Sequence, residues 1–152
     1  MKNSIIKILL GYALMIGFNC CAQKTDNGVE ETLKDFYSSI HYLWVNTNDP
    51  AELLFKLDSV NQLYCTIDLR NEIKQSYERN GLDFDIFTNN YGFDEESINT
   101  LSITKEPTKD NIYLISYFTN TYDPSNKRVT ERVMVTLEVV KINGNYKIKE
   151  VW

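Results

Sequence analysis

The stretch RVTERVMVTLEVV, residues 128–140, constrains the fold of this chain more than any other. Val129, Glu131, Val133, Val135, Leu137 and Val139 fall on one side of a period-2 ribbon, and Thr130, Arg132, Met134, Thr136, Glu138 and Val140 on the other. β-Branched residues dominate, and no glycine or proline interrupts them, so the pattern predicts a long strand. The first side is almost wholly apolar from Val133 onward and predicts a core-facing surface. The second is mixed and predicts a face open to water or to a second subunit. A lone strand is unstable in water and needs neighbours. Asn143-Gly144 follows, a pair that tolerates positive φ and predicts a tight hairpin into a last strand over 146–152. There Tyr146, Ile148 and Trp152 share one side, with Glu150 as a misfit among them.

Upstream, Val29, Leu33, Phe36, Tyr37, Ile40 and Trp44 recur at helical spacing and predict a helix over 29–45, with Asn27 and Glu30 as its capping box. Asp49-Pro50-Ala51-Glu52 is the sharpest local signal. Asp49 can accept from exposed amides, Pro50 sits where a missing N–H costs nothing, and Glu52 would complete a box. The second helix runs over 50–64, with Leu53, Leu54, Leu57, Val60 and Tyr64 inward. Cys65-Thr66 separates it from a third helix over 68–79, which Asn80-Gly81 ends. Residues 82–96 alternate aromatic and acidic side chains and read as a loop or short turns anchored by Phe84, Phe87 and Phe93. Strands over 100–105 and 112–120 precede the long one. Helices followed by strands give an α+β domain with a four-stranded antiparallel meander.

With 152 residues and a 43% hydrophobic share, the chain has material for one packed domain. Its formal net charge of -5 argues against nucleic acid and anionic headgroups as partners. Residues 1–22 read as a leader: Lys2 and Lys7 flank the start of an apolar run over 8–18 that is short for a membrane span. Residues 23–27 form a tether, and 28–152 the domain. Cys20 and Ala22 suit cleavage before Gln23. Cys20 or Cys21 could instead be the lipidated cysteine of a bacterial lipoprotein, although the residues before them match the lipobox badly. Both routes predict export, to the periplasm, the medium or a lipid anchor, with the membrane touched only through the lipid. Cys65 is the one cysteine of the domain, so no disulfide can form within it.

Candidate chemistry is sparse. His41, the one histidine, would need a carboxylate partner and a cleft to act as a base; as a flank of the first helix's apolar stripe it needs neither. Asp83 and Asp85 would project to one side of an extended segment, with Asp94 nearby, as weak oxygen ligands for calcium or as an acid/base pair. The spacing is not that of an EF-hand. More simply, these acids cap turns. Cys65, beside Tyr64 at a helix end, reads as core packing rather than a nucleophile. No phosphate-binding glycine loop, C-x-x-C or G-x-S-x-G occurs, and no metal or cofactor is expected. Ten tyrosines favour half-buried faces and interfaces. In the strand over 112–120 both faces are apolar, Tyr113, Ile115 and Tyr117 on one and Ile112, Leu114 and Phe118 on the other.

Leu33-Lys34-Asp35-Phe36-Tyr37, Leu63-Tyr64-Cys65-Thr66, the run from Leu82 to Phe87 and the hairpin from Val139 to Ile148 together resemble the DUF3828-type small exported bacterial proteins. The resemblance implies an NTF2-like (cystatin-like) cone, a curved sheet and helices around a pocket, with no catalytic set to carry over. It also implies, by analogy, envelope maintenance or immunity against a secreted toxin. The expectation is therefore a non-enzymatic exported protein that binds a protein partner or associates with itself. Tyr37, His41, Tyr113, Tyr117, Arg132 and Met134 are the candidate surface residues. The alternatives are a small-ligand pocket, or a hydrolase using His41 or Asp83 and Asp85.

Overall fold

The computed structural model describes residues 27–82, 85–89 and 92–152. The leader with Cys20 and Cys21, most of the tether, Asp83 and Phe84 lie outside the described residues. Among the described residues four helices come first, α1 Asn27–Asn46, α2 Pro50–Tyr64, α3 Ile67–Asn80 and the short α4 Glu95–Asn99. Four strands follow, β1 Ser102–Lys105, β2 Ile112–Tyr122, β3 Arg128–Ile142 and β4 Asn145–Val151.

The helix ends follow from local chemistry. Asp49 Oδ1 accepts from the amides of Ala51 (2.8 Å) and Glu52 (3.3 Å), which starts α2 at Pro50. Glu52 does not close a capping box; it turns to Lys56 at 2.7 Å, one helical turn on. Thr66 caps α3 through the Leu69 amide (3.4 Å). Gly81, at φ +67°, ends α3 in the left-handed region where a Cβ would be strained. Asp94 nucleates α4, which the sequence pattern did not announce, by accepting from the Ser97 amide at 2.8 Å.

The strands form one antiparallel sheet in the order β1-β2-β3-β4. β2 and β3 pair from Ile112↔Glu138 to Tyr122↔Arg128, whereas β1 meets only Tyr113–Ser116 of β2. On the inner face Tyr113, Ile115 and Tyr117 lie beside Leu137, Val135 and Val133. Leu33, Phe36, Tyr37 and Ile40 of α1, Leu53 and Leu57 of α2, and Leu69 and Ile73 of α3 complete the core. A fully buried side chain of this size contributes about 1.5–3 kcal/mol relative to an exposed one.

The pairing of β3 with β4 shifts from Glu138↔Glu150 to Val139↔Ile148, which leaves Lys149 as an extra, bulged residue. Such a bulge reverses the in-out alternation beyond it. Ile148 is buried on one side of it and Val151, opposite core residue Leu137, returns inward on the other. Glu150 and Trp152 consequently face outward, and Trp152 exchanges backbone hydrogen bonds with Thr136 (2.9 and 3.0 Å). The Glu150 misfit is thereby resolved, and Trp152 does not share a face with Tyr146 and Ile148.

The NTF2-like cone is not present. The α+β order and the meander are as expected, but β1 and β4 are opposite edges that do not pair, and the sheet neither closes nor curls.

Asp49→Ala should lower stability by about 1 kcal/mol in urea melts with an unchanged slope, because two α2 amides lose their acceptor. Glu52→Ala should change it by less than about 0.5 kcal/mol, since that ion pair is exposed.

Candidate functional site

The segment after α3 enters the core, and Asp85 organises it. This carboxylate is fully buried. Its Oδ1 accepts from the amides of Phe87 (2.8 Å) and Thr88 (3.1 Å), a local turn made by an Asx side chain. Its Oδ2 accepts from the Tyr77 hydroxyl of α3 at 2.7 Å. The carbonyls of the same segment accept from two more tyrosines: Tyr37 donates to Phe87 O at 2.9 Å, and Tyr117 donates to Thr88 O. Phe87 packs edge-on against Phe36 (4.8 Å between ring centres), and Phe93 against Tyr117 (4.8 Å). His41 Nδ1 lies 3.0 Å from Phe93 O; a carbonyl only accepts, so this nitrogen carries the hydrogen.

Burial pushes the Asp85 carboxyl above the usual range, while the donors Tyr77, Phe87 and Thr88 pull it back down. Burial, and then the nearby Asp85, raise the hydroxyls of Tyr37, Tyr77 and Tyr117 well above the ordinary phenol. Burial likewise pushes the Cys65 thiol up to about 12, against the pull of Lys147, so little nucleophilic thiolate exists at neutral pH.

These contacts account for the acids and bases singled out from the sequence. Asp85 spends its oxygens on protein donors, Asp94 is an exposed cap bound to Ser97 (Oγ at 2.6 Å), and Asp83 lies outside the described residues. Among the described residues no group of three or more His, Cys, Asp or Glu side chains could hold a metal ion. His41 fastens the connector through Phe93 and makes no described pair with Asp85.

Tyr37, Tyr113 and Tyr117 were expected on a ligand or partner surface, and that expectation is corrected. All three are buried at 1% exposure or less, because each belongs to the stripe or strand face that meets the helices. Arg132 and Met134 stand on the opposite face of the sheet. The register sets Phe118 beside Arg132, Ser116 beside Met134, Leu114 beside Thr136 and Ile112 beside Glu138. Phe118, Met134 and Trp152 are 44%, 59% and 59% exposed on this outer face. Arg132 donates to Ser116 Oγ at 3.1 Å. Trp152 was expected on the side of Tyr146 and Ile148 and not on this face; Glu150 between apolar neighbours was the signal that the alternation breaks.

A cleft of about 1130 Å³ lies at the β4 edge rather than inside a cone. Ile67, Asp68 and Glu72 of α3 form one wall, and Lys147, Lys149 and Val151 of β4 the other. Both lysines are engaged: Lys147 donates to the α2 carbonyls of Gln62 (3.3 Å) and Leu63, and Lys149 pairs with Glu138 at 3.1 Å.

No family model and no curated protein matches this chain. The chain is similar to a solved structure of a protein of unknown function from Bacteroides thetaiotaomicron. The two are 23% identical, with a TM-score of 0.66 over 83% of this chain and 91% of that one. At that identity the likeness shows a shared fold alone. The resemblance to DUF3828-type proteins is thus overturned, by the missing family match and the open sheet together. The NTF2-like descriptor falls with it, whereas the export and lipidation expectations rest on residues 1–22, which lie outside the described residues.

Asp85→Asn keeps an acceptor for the two amides and removes the titration. Because the folded carboxyl holds its proton more tightly than the unfolded one, wild-type stability falls as pH rises from about 4 through the raised folded value. Urea melts should therefore show the variant gaining on the wild type across that window; a flat difference would contradict the assignment.

Proposed function

We propose that this chain is a protein-binding module rather than an enzyme, and that its contact surface is the outer sheet face. The observation that carries this reading is the group of large apolar side chains, Phe118, Met134 and Trp152, standing exposed on one open face beside Arg132. Aromatic residues, methionine and arginine are the types enriched at the centres of interfaces, and a clustered exposed apolar patch on a soluble domain marks a contact site. The reading also draws on how the titratable groups are used. Asp85, His41 and the tyrosine hydroxyls hold the connector in place, so they act on the chain itself.

The test is capture of proteins from a host extract on the immobilised full chain, quantified by mass spectrometry. A bound protein should fall more than about tenfold on Met134→Glu or Phe118→Asp, since either buries a charge at the contact. It should be retained with Phe55→Glu, a change at an exposed apolar residue of α2 away from the sheet. Equal recovery on all three variants would sink the proposal.

A further inference from the structure

Resting on that reading, we infer that the occupant of the outer face is a second copy of this chain, stacked face to face about a two-fold axis. The axis lies between the sheets, runs across the strands, and passes at the level between Met134 and Thr136.

The inference comes from how charge is laid out along β3. Arg132 and Glu138 both face outward and stand at equal distances on either side of that level. A two-fold rotation there lays β3 antiparallel over its copy and sets Arg132 of each chain against Glu138 of the other. Within one chain, among the described residues, the guanidinium of Arg132 reaches the neutral Ser116 hydroxyl and no carboxylate. Glu138 is held in place by Asn111 (2.8 Å) and Lys149, chiefly through Oε1, which leaves acceptor capacity on Oε2. The apolar groups follow the same symmetry. Met134, 59% exposed, meets Thr136 across the axis, and Phe118, at the level of Arg132, lies over the largely buried Ile112 at the level of Glu138. Sheets stack in this aligned manner at about 30° and about 10 Å apart. Strand spacings of about 4.8 Å and rises of about 3.4 Å per residue give roughly 400 Å² of overlapping face per copy, chiefly from β3 and β2, the scale of a weak, concentration-dependent contact. A face with Arg132 toward one end, Glu138 and its Lys149 partner toward the other, and Met134 between them is complementary to itself, as an isologous contact requires.

The test is sedimentation equilibrium of the full chain and of two charge-reversal variants, with circular dichroism melts as the control for folding. The wild type should dimerise in a concentration-dependent way. Arg132→Glu and Glu138→Arg should each weaken the dimer more than about tenfold, since each sets like charges together across the contact. Mixed in equal amounts, the two variants should form a heterodimer within about threefold of wild-type affinity, because both cross-pairs are then opposite in sign. The two positions are roughly 20 Å apart along one strand, so rescue on mixing can arise only between chains. A monomeric wild type, or a mixture without rescue, overturns the second copy as occupant. If capture of another protein still depends on Met134 in that case, the binding reading stands with a different partner; if it does not, both fall.

Discussion

One buried carboxylate governs how this chain closes its core. Asp85 gathers two backbone amides and the Tyr77 hydroxyl, so the segment leaving α3 can pass beneath the helices with its polar groups satisfied. Burying amides and carbonyls without partners costs about 1–3 kcal/mol each. Tyr37 from α1 and Tyr117 from β2 complete the arrangement by donating to the carbonyls of Phe87 and Thr88. Three tyrosines from three elements therefore converge on three residues, Asp85, Phe87 and Thr88, and helix layer and sheet are tied through that segment. The rings of Phe87 and Phe93 fill the space between them.

This arrangement fixes what the sheet can do. Its inner face is used up by the connector and the helices, and the chemistry-bearing side chains near it are engaged in holding the fold. The outer face has no such duty. β3 carries both roles in alternate residues: Val135, Leu137 and Val139 are buried, while Arg132 and Met134 are in solvent. The bulge at Lys149 adds Trp152 to the outer side by shifting the alternation of β4. A two-faced strand, one face structural and one open, is the basis of the binding proposal.

Much of the architecture was legible in local chemistry. Asp49-Pro50 marks the start of α2 to the residue, and the alternation of β3 identifies its buried side. What was not legible depends on partners distant in sequence. Both faces of β2 are apolar, so nothing within the strand says that Tyr113 and Tyr117 turn inward and Phe118 outward; the register with β3 decides it. Tyr37 belongs to the apolar stripe of α1, and its place in the stripe was the better guide than its hydroxyl. Asp85 looked like one acid in a soluble loop, because its donor Tyr77 lies on the far side of the Gly81 turn. The closed cone came from resemblance rather than from the residues, and the open, uncurled sheet rules it out.

The central claim, that the connector is core and not loop, is tested most directly by native-state amide hydrogen exchange. The Phe87 and Thr88 amides, held by Asp85, should exchange only through global unfolding, with the same free energy as the amides of Ile115 and Leu137 in the sheet. Exchange of these two amides at the rate of an exposed loop, while the sheet stays protected, would contradict the account.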